Sequence, residues 1–248
     1  MGVFWSIVLF WSPLLWQFSS PLQYGTGRLE MLEEKVFREL LQDYDKSVRP
    51  ATLVSRTTVV THGLSILRLV DLKGNTMTVD VWEDMEWIDP RLRWNPADRD
   101  DVDRVNIASS LLWVPDVVLY NSAGSSTDTY PSTPRQAFVS HDGTVYTSSA
   151  SRLVVLCGTA DGCPPIDQRG IFSCNLKFGS WGYDGFRLDL RNRTDGIDLT
   201  NIFIQSKWRV TNSSATRNEV FYSCCPEPFP DVTYTIQLAP KYRPCELL

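Results

Sequence analysis

The sequence predicts an all-β protein, an Ig-like β-sandwich of about ten strands preceded by one N-terminal α-helix. Three observations carry this. Through most of the chain the apolar residues alternate with polar ones or run β-branched and aromatic. Turn residues, as in KGN and HDG, cut these runs into strand lengths. Only one segment shows helical spacing. No linker, composition shift or internal repeat divides the chain from residue 29 to 244, so a single domain is expected, with 245–248 as a tail.

Taken in order, the chain opens with 27 residues that carry no charge, among them the apolar run MGVFWSIVLFWSPLLW. That run is shorter than the roughly 20 apolar residues of a membrane span. It reads as a signal peptide over residues 1–20, with cleavage as late as residue 25; an uncleaved anchor is the competing reading. From Leu29 to Leu41, Leu29, Leu32, Val36, Phe37, Leu40 and Leu41 recur at helical spacing between charged residues, and Pro50 lies beyond the end. The strand candidates follow: TTVVTHGLSILRLVDL, NTMTVDVWEDMEW, AFVSHDGTVYTSS, RLVVLC, SCNLKFGSW, FRLDL, IQSKWRV, EVFYSCC and VTYTIQLAP.

Composition and motifs exclude several functions. With 24 Lys+Arg against 29 Asp+Glu the net charge is −5, and no basic run suggests a nucleic-acid surface. The two histidines, His62 and His141, sit in no catalytic or zinc-binding spacing, and no G-x-S-x-G elbow or P-loop is present. Asp98, Asp100, Asp101 and Asp103 lack the Gly and closing Glu of a calcium loop and read as a solvated turn. The expectation is a binding protein, not an enzyme, with no cofactor and no metal. Asn192 and Asn212 head glycosylation sequons, and the six cysteines are an even number, as in secreted proteins. A secreted, extracellular location without membrane insertion is expected.

Nine Trp, nine Tyr and eleven Phe make the chain rich in rings that serve either core or binding surface. The most distinctive segment is FYSCCPEPFPDVTYT, where aromatic residues flank Cys224-Cys225. Adjacent Cα atoms lie about 3.8 Å apart, closer than a disulfide prefers, so each cysteine could instead pair elsewhere.

This segment resembles loop C of the ligand-binding domains of nicotinic Cys-loop receptors. VDVWEDMEWIDPRLRWN is similar to that family's loop D strand, LLWVPDVVLYNSA to loop A and CNLKFGSWGYDG to loop B, all in family order. The resemblance implies a Cys224–Cys225 disulfide and a signature Cys157–Cys174 disulfide. The signature loop here encloses sixteen residues, longer than is usual for the family. Cys163 and Cys245 are left over and are expected to pair with each other.

The resemblance also implies a site for acetylcholine, nicotine or a related amine between subunits of a homopentamer. A principal face would offer Tyr120, Trp181, Tyr222, Phe229 and the Cys224–Cys225 ring; a complementary face would offer Trp82, Phe138, Tyr146 and Ser148. Trp87 and Trp94 are expected in the scaffold. Lys177, Tyr222 and Asp231 match the family's polar trio. Phe229 and Gly182 depart from its usual Tyr and hydroxyl residue. The signature loop CGTADGCPPIDQRGIFSC is polar for most of its length, which favours a soluble acetylcholine-binding type over a receptor ectodomain. A secreted adhesion or lectin-like module is the different-class alternative.

Overall fold

The computed structural model describes residues 32–53, 55–124, 127–128, 135–158, 166, 170–202 and 207–241. The apolar N-terminal run, Cys163 and Cys245 lie outside them. Helix α1 spans Leu32–Leu41, with Glu33 and Glu34 in its first turn and Arg38 in its last, both favourable to the helix dipole. Its Val36 and Leu40 are buried in the core.

Eleven strands follow among the described residues: β1 (Thr58–Lys73), β2 (Thr76–Arg93), β3 (Arg104–Ala108), β4 (Val117–Leu119), β5 (Thr127–Asp128), β6 (Gln136–Ser140), β7 (Asp142–Leu156), β8 (Phe172–Ser180), β9 (Leu188–Asn192), β10 (Trp208–Phe221) and β11 (Pro228–Pro240). They form two sheets. Sheet A runs β3-β6-β7-β2-β1-β9 with β5 on β7; sheet B runs β10-β11-β8-β4.

Several expected strands merge or shift. RLVVLC is the C-terminal end of β7 with Cys157 just after it, held in one ladder by the long antiparallel register of β7 with β2. The segments around Trp208 and Val220 form the single strand β10, because β11 pairs along its whole length. Strand β11 starts earlier than expected, at Pro228. Its pairing with β8 begins only at Asp231, so the missing N–H groups of Pro228 and Pro230 break no ladder on that side. Strands β3 and β4 have no counterpart among the expected runs.

The inward faces of both sheets supply the core, with Trp87, Phe172, Phe178, Leu176 and Tyr234 almost fully buried. Trp87 meets Trp113 edge-on at 5.9 Å between centroids, so Trp87 is scaffold as expected. Beside the Arg217–Asp189 bridge from β10 to β9, two further links between the sheets are a disulfide and a hydrogen-bonded pair. Cys157, just after β7, is bonded to Cys174 in β8; closing a loop of this size contributes about 3 kcal/mol. His62 in β1 and Tyr234 in β11 form the second. The Tyr234 hydroxyl donates to the His62 carbonyl at 2.7 Å and lies 3.0 Å from His62 Nδ1. Since that hydroxyl proton is already committed, Nδ1 carries the ring proton and Nε2 is left as a bare lone pair in the core.

A polar knot holds the segment after α1. Buried Asp89 accepts from the Tyr44 hydroxyl at 2.8 Å and takes the Arg91 guanidinium at 2.9 and 2.7 Å. Burial, first among the causes, pushes the Tyr44 phenol far up, so it stays a neutral donor.

Charging His62 would place an unpartnered N–H in this interior, and desolvation, with Arg193 adding to it, lowers its pKa to about 3. The unfolded state therefore binds a proton below the ordinary value of 6.5 that the folded state refuses, and stability falls with pH from there down to about 3. Between pH 7 and 4.5 this group alone should cost about 2–3 kcal/mol. Urea unfolding at both pH values should show that loss shrinking by a comparable amount in His62→Gln; an equal loss in both proteins would refute the assignment.

Candidate functional site

Strand β8 carries the principal cluster at its C-terminal end. Tyr120 follows β4 and is anchored at both ends: its N–H donates to the Lys177 carbonyl at 2.8 Å and its hydroxyl to the Ser180 carbonyl at 2.6 Å. The ring lies against Gly179, where a Cβ would come within 2.4 Å of the phenol oxygen. Any side chain at 179 would evict it. Burial first, then Tyr222, Asp231 and Asp116, push the Tyr120 phenol up to about 12, so it remains a donor at neutral pH. Asn121 locks the next residue, accepting from the Lys177 N–H and donating to the carbonyls of Leu156 and Asn175.

Trp181 begins the turn after β8 and is 79% exposed. Asp116 sets its backbone. The Asp116 carbonyl accepts from the Trp181 N–H at 3.2 Å, and its carboxylate accepts from the Ser180 hydroxyl at 2.5 Å and the Gly182 N–H at 2.6 Å. A Cβ on Gly182 would lie 3.0 Å from that carboxylate, so glycine here keeps the clamp close.

The β10–β11 hairpin supplies loop C. Its tip holds the Cys224–Cys225 disulfide. The Tyr222 and Phe229 rings pack edge-on at 5.5 Å, with Tyr222 46% exposed. The Gly185 N–H donates to the Pro228 carbonyl at 2.7 Å, tying the loop after Trp181 to this hairpin. Beneath, Lys177 pairs with buried Asp231 at 3.1 Å and its ammonium stands 6.0 Å from the Tyr120 centroid. Of the expected polar trio, Lys177 and Asp231 meet; Tyr222 packs on Phe229 instead. Asp231 is also held by Asn218 and Thr233.

The four residues expected on a complementary face lie together on the outer surface of sheet A. The registers place Ser65, Trp82 and Ala150 in one row, Gly63, Asp84 and Ser148 in the next, and Thr61, Glu86, Tyr146 and Phe138 in a third. Directly paired residues share a face, so Trp82, Ser148, Tyr146 and Phe138 form one patch. The Phe138 and Tyr146 centroids are 6.1 Å apart, and Trp82 is 43% exposed. A cavity of about 870 Å³ opens beside it, lined by Phe138, Ser148, Ala150, Leu112, Lys46 and Ser110 among others. Ring clusters thus occupy two separate surfaces, one on each sheet.

Residues 33–242 match the profile of the neurotransmitter-gated ion-channel ligand binding domain. The chain belongs to this family. It is 35% identical over 204 residues to the neuronal acetylcholine receptor subunit alpha-2 of Pan troglodytes, covering 82% of this chain and 38% of that subunit. It is 35% identical over 227 residues to the human alpha-4 subunit, covering 90% and 35% of the two chains, and 34% identical over 209 residues to the alpha-2 subunit of Gallus gallus, covering 82% and 38%. The chain therefore spans well under half the length of these relatives.

Within this ligand-binding domain, Asp116, Ser180, Gly179 and Asn121 were not singled out from the sequence. Their work is done through backbone groups of residues distant in the chain, which no local pattern announces. Both sequon asparagines are in strands: Asn192 at the end of β9, its amide donating to the Thr194 carbonyl at 3.0 Å, and Asn212 exposed in β10. Among the described residues no group of three or more His, Cys, Asp or Glu is placed to hold a metal, and no helix is long and apolar enough to cross a membrane.

Gly179→Ala should displace the Tyr120 ring and break its hydrogen bond to Ser180, lowering stability by about 1–3 kcal/mol. Urea unfolding of both proteins checks this; an unchanged stability would show that the ring does not depend on the glycine.

Proposed function

We propose that copies of this chain assemble as a ring, a homopentamer, and bind acetylcholine, nicotine or a related amine between neighbours. Tyr120, Trp181, Tyr222, Phe229 and the Cys224–Cys225 ring of one copy would close on Trp82, Phe138, Tyr146 and Ser148 of the next. The observation that carries this reading is the presence of both ring clusters on one chain, each open to solvent. A quaternary or protonated amine is held by electron-rich ring faces at about 0.5–2 kcal/mol per contact, with Trp the strongest, and only where water is displaced. Neither surface encloses a cation by itself. A head-to-tail interface joins two different surfaces of identical subunits, and such interfaces close into rings. The relatives named acetylcholine receptor subunits support the cholinergic class. We read the chain as a binding protein and not an enzyme.

We further propose that it acts as a secreted, soluble binding protein of the acetylcholine-binding type, with residues 1–20 as its leader, a Cys163–Cys245 bond and glycans at Asn192 and Asn212. The polar signature loop between Cys157 and Cys174 supports this, since a loop that docks on a membrane domain would be more apolar. The extracellular domain of a pentameric channel is the second reading, favoured by the partial coverage of the receptor subunits. Recovery from expression medium without detergent as an assembled ring is the outcome expected for the first; a chain that stays monomeric without a membrane domain supports the second.

Tryptophan fluorescence titrated with acetylcholine and nicotine should give a saturable change that Trp181→Ala abolishes or weakens about a hundredfold. A flat titration on an assembled ring would remove cholinergic ligands from the account.

A further inference from the structure

The patch around Trp82 carries more than rings. In the row next to Trp82 stands Asp84, and in the row after it Glu86, on the same outer face. Asp84 is packed into the slot left by Gly63: a Cβ there would lie 2.6 Å from both carboxylate oxygens. It is largely desolvated, and burial, opposed by Arg193, pushes its carboxyl above the usual range. A desolvated carboxylate needs a cation beside it.

That cation is Arg193, from the turn after β9. Its backbone N–H donates to the His62 carbonyl at 2.8 Å, which fixes where its side chain starts. Its Nε lies 2.7 Å from Asp84 and its Nη2 3.5 Å from Glu86. Its guanidinium carbon stands 5.3 Å from the centroid of the Tyr146 ring. One tethered guanidinium therefore occupies both the carboxylate pair and a ring face of the complementary patch. A third acid, Asp198, accepts from Ser65 at 3.3 Å in the row of Trp82, so carboxylates outnumber this arginine along the patch.

We infer that the complementary half-site selects ligands with two cationic centres: one amine sits in the ring cage at Trp82, and the second displaces Arg193 from Asp84, Glu86 and the face of Tyr146. This rests on the cage reading above. Along β2, Asp84 and Glu86 stand about 7 and 14 Å from Trp82, from the rise of an extended strand. Flexible diammonium chains span those distances. A single-headed amine leaves Arg193 in place and gains nothing from the acids. Arg193 thereby acts as an internal competitor, and its removal opens the second anchor.

The probes are pentamethonium and decamethonium, each paired with the monocation of equal chain length, pentyl- or decyltrimethylammonium, titrated calorimetrically into the assembled protein. At least one dication should bind ten times or more tighter than its monocation. The Asp84→Asn/Glu86→Gln double variant should bring that ratio to about one, whereas Arg193→Gln should raise it several-fold. An increase is a change that misfolding does not produce, so the second variant is informative even if the first fails to assemble. A ratio near one in the unaltered protein, or no increase in Arg193→Gln, overturns this inference while monocation binding lost in Trp181→Ala leaves the cage standing. Failure of all four probes to bind overturns the cage and this inference with it.

Discussion

Strand β8 is fixed along its length before it reaches the aromatic cluster, and the cluster depends on that. The disulfide from Cys174 to Cys157 ties one end to sheet A, and the ladder with β11 holds the strand from Phe172 to Gly179. The last residues, Gly179 and Ser180, then serve as the reference surface for everything else. Tyr120 lies on Gly179 and hydrogen-bonds Ser180; Asp116 grips Ser180 and Gly182 and so orients the Trp181 backbone. The loop C hairpin joins through the Gly185–Pro228 hydrogen bond and the Lys177–Asp231 pair. A ring cluster assembled from three distant segments holds its geometry because each segment is bonded to the stretch from Lys177 to Gly185.

Much of the fold could be read from the chain. Long period-two runs became β1, β2, β7, β10 and β11, and the amphipathic segment became α1. The cysteines at 157, 174, 224 and 225 pair as the family resemblance implied. Short strands were illegible because their partners create them: β4 has three residues and exists through its ladder to β8, and β3 through its ladder to β6. The rings of the candidate site were named from motifs, but the groups that place them were not. Asp116 accepts from the Gly182 backbone N–H 66 residues away and Asn121 from that of Lys177 56 residues away, and such pairings leave no trace in composition or period. The contact of Arg193 with Tyr146 is of the same kind.

Charge on the two ring surfaces is managed differently. On the principal side, Asp231 is buried with Lys177 and held by Asn218 and Thr233, while Asp116 spends its carboxylate on a hydroxyl and a backbone N–H. The rings there are left as the electron-rich surface. On the outer face of sheet A, acids stay beside the rings and an arginine covers them. One side offers aromatic faces, and the other offers aromatic faces bordered by carboxylates. In the proposed ring, joining them would give a cage whose two walls differ in character, which a site built from two copies of one surface could not have.

In the proposed ring the amine is held between copies, with Trp181 from one and Trp82 from the next. Co-expression of Trp181→Ala chains with Trp82→Ala chains tests it most directly. Each variant alone should assemble and show no saturable nicotine binding. In the mixed rings, an intact Trp181 surface meets an intact Trp82 surface at about a quarter of interfaces by random assembly, and binding should return at about that fraction of sites. Absence of recovered binding in rings shown to contain both chains would contradict an interfacial site, and undiminished binding by either variant alone would contradict the cage itself.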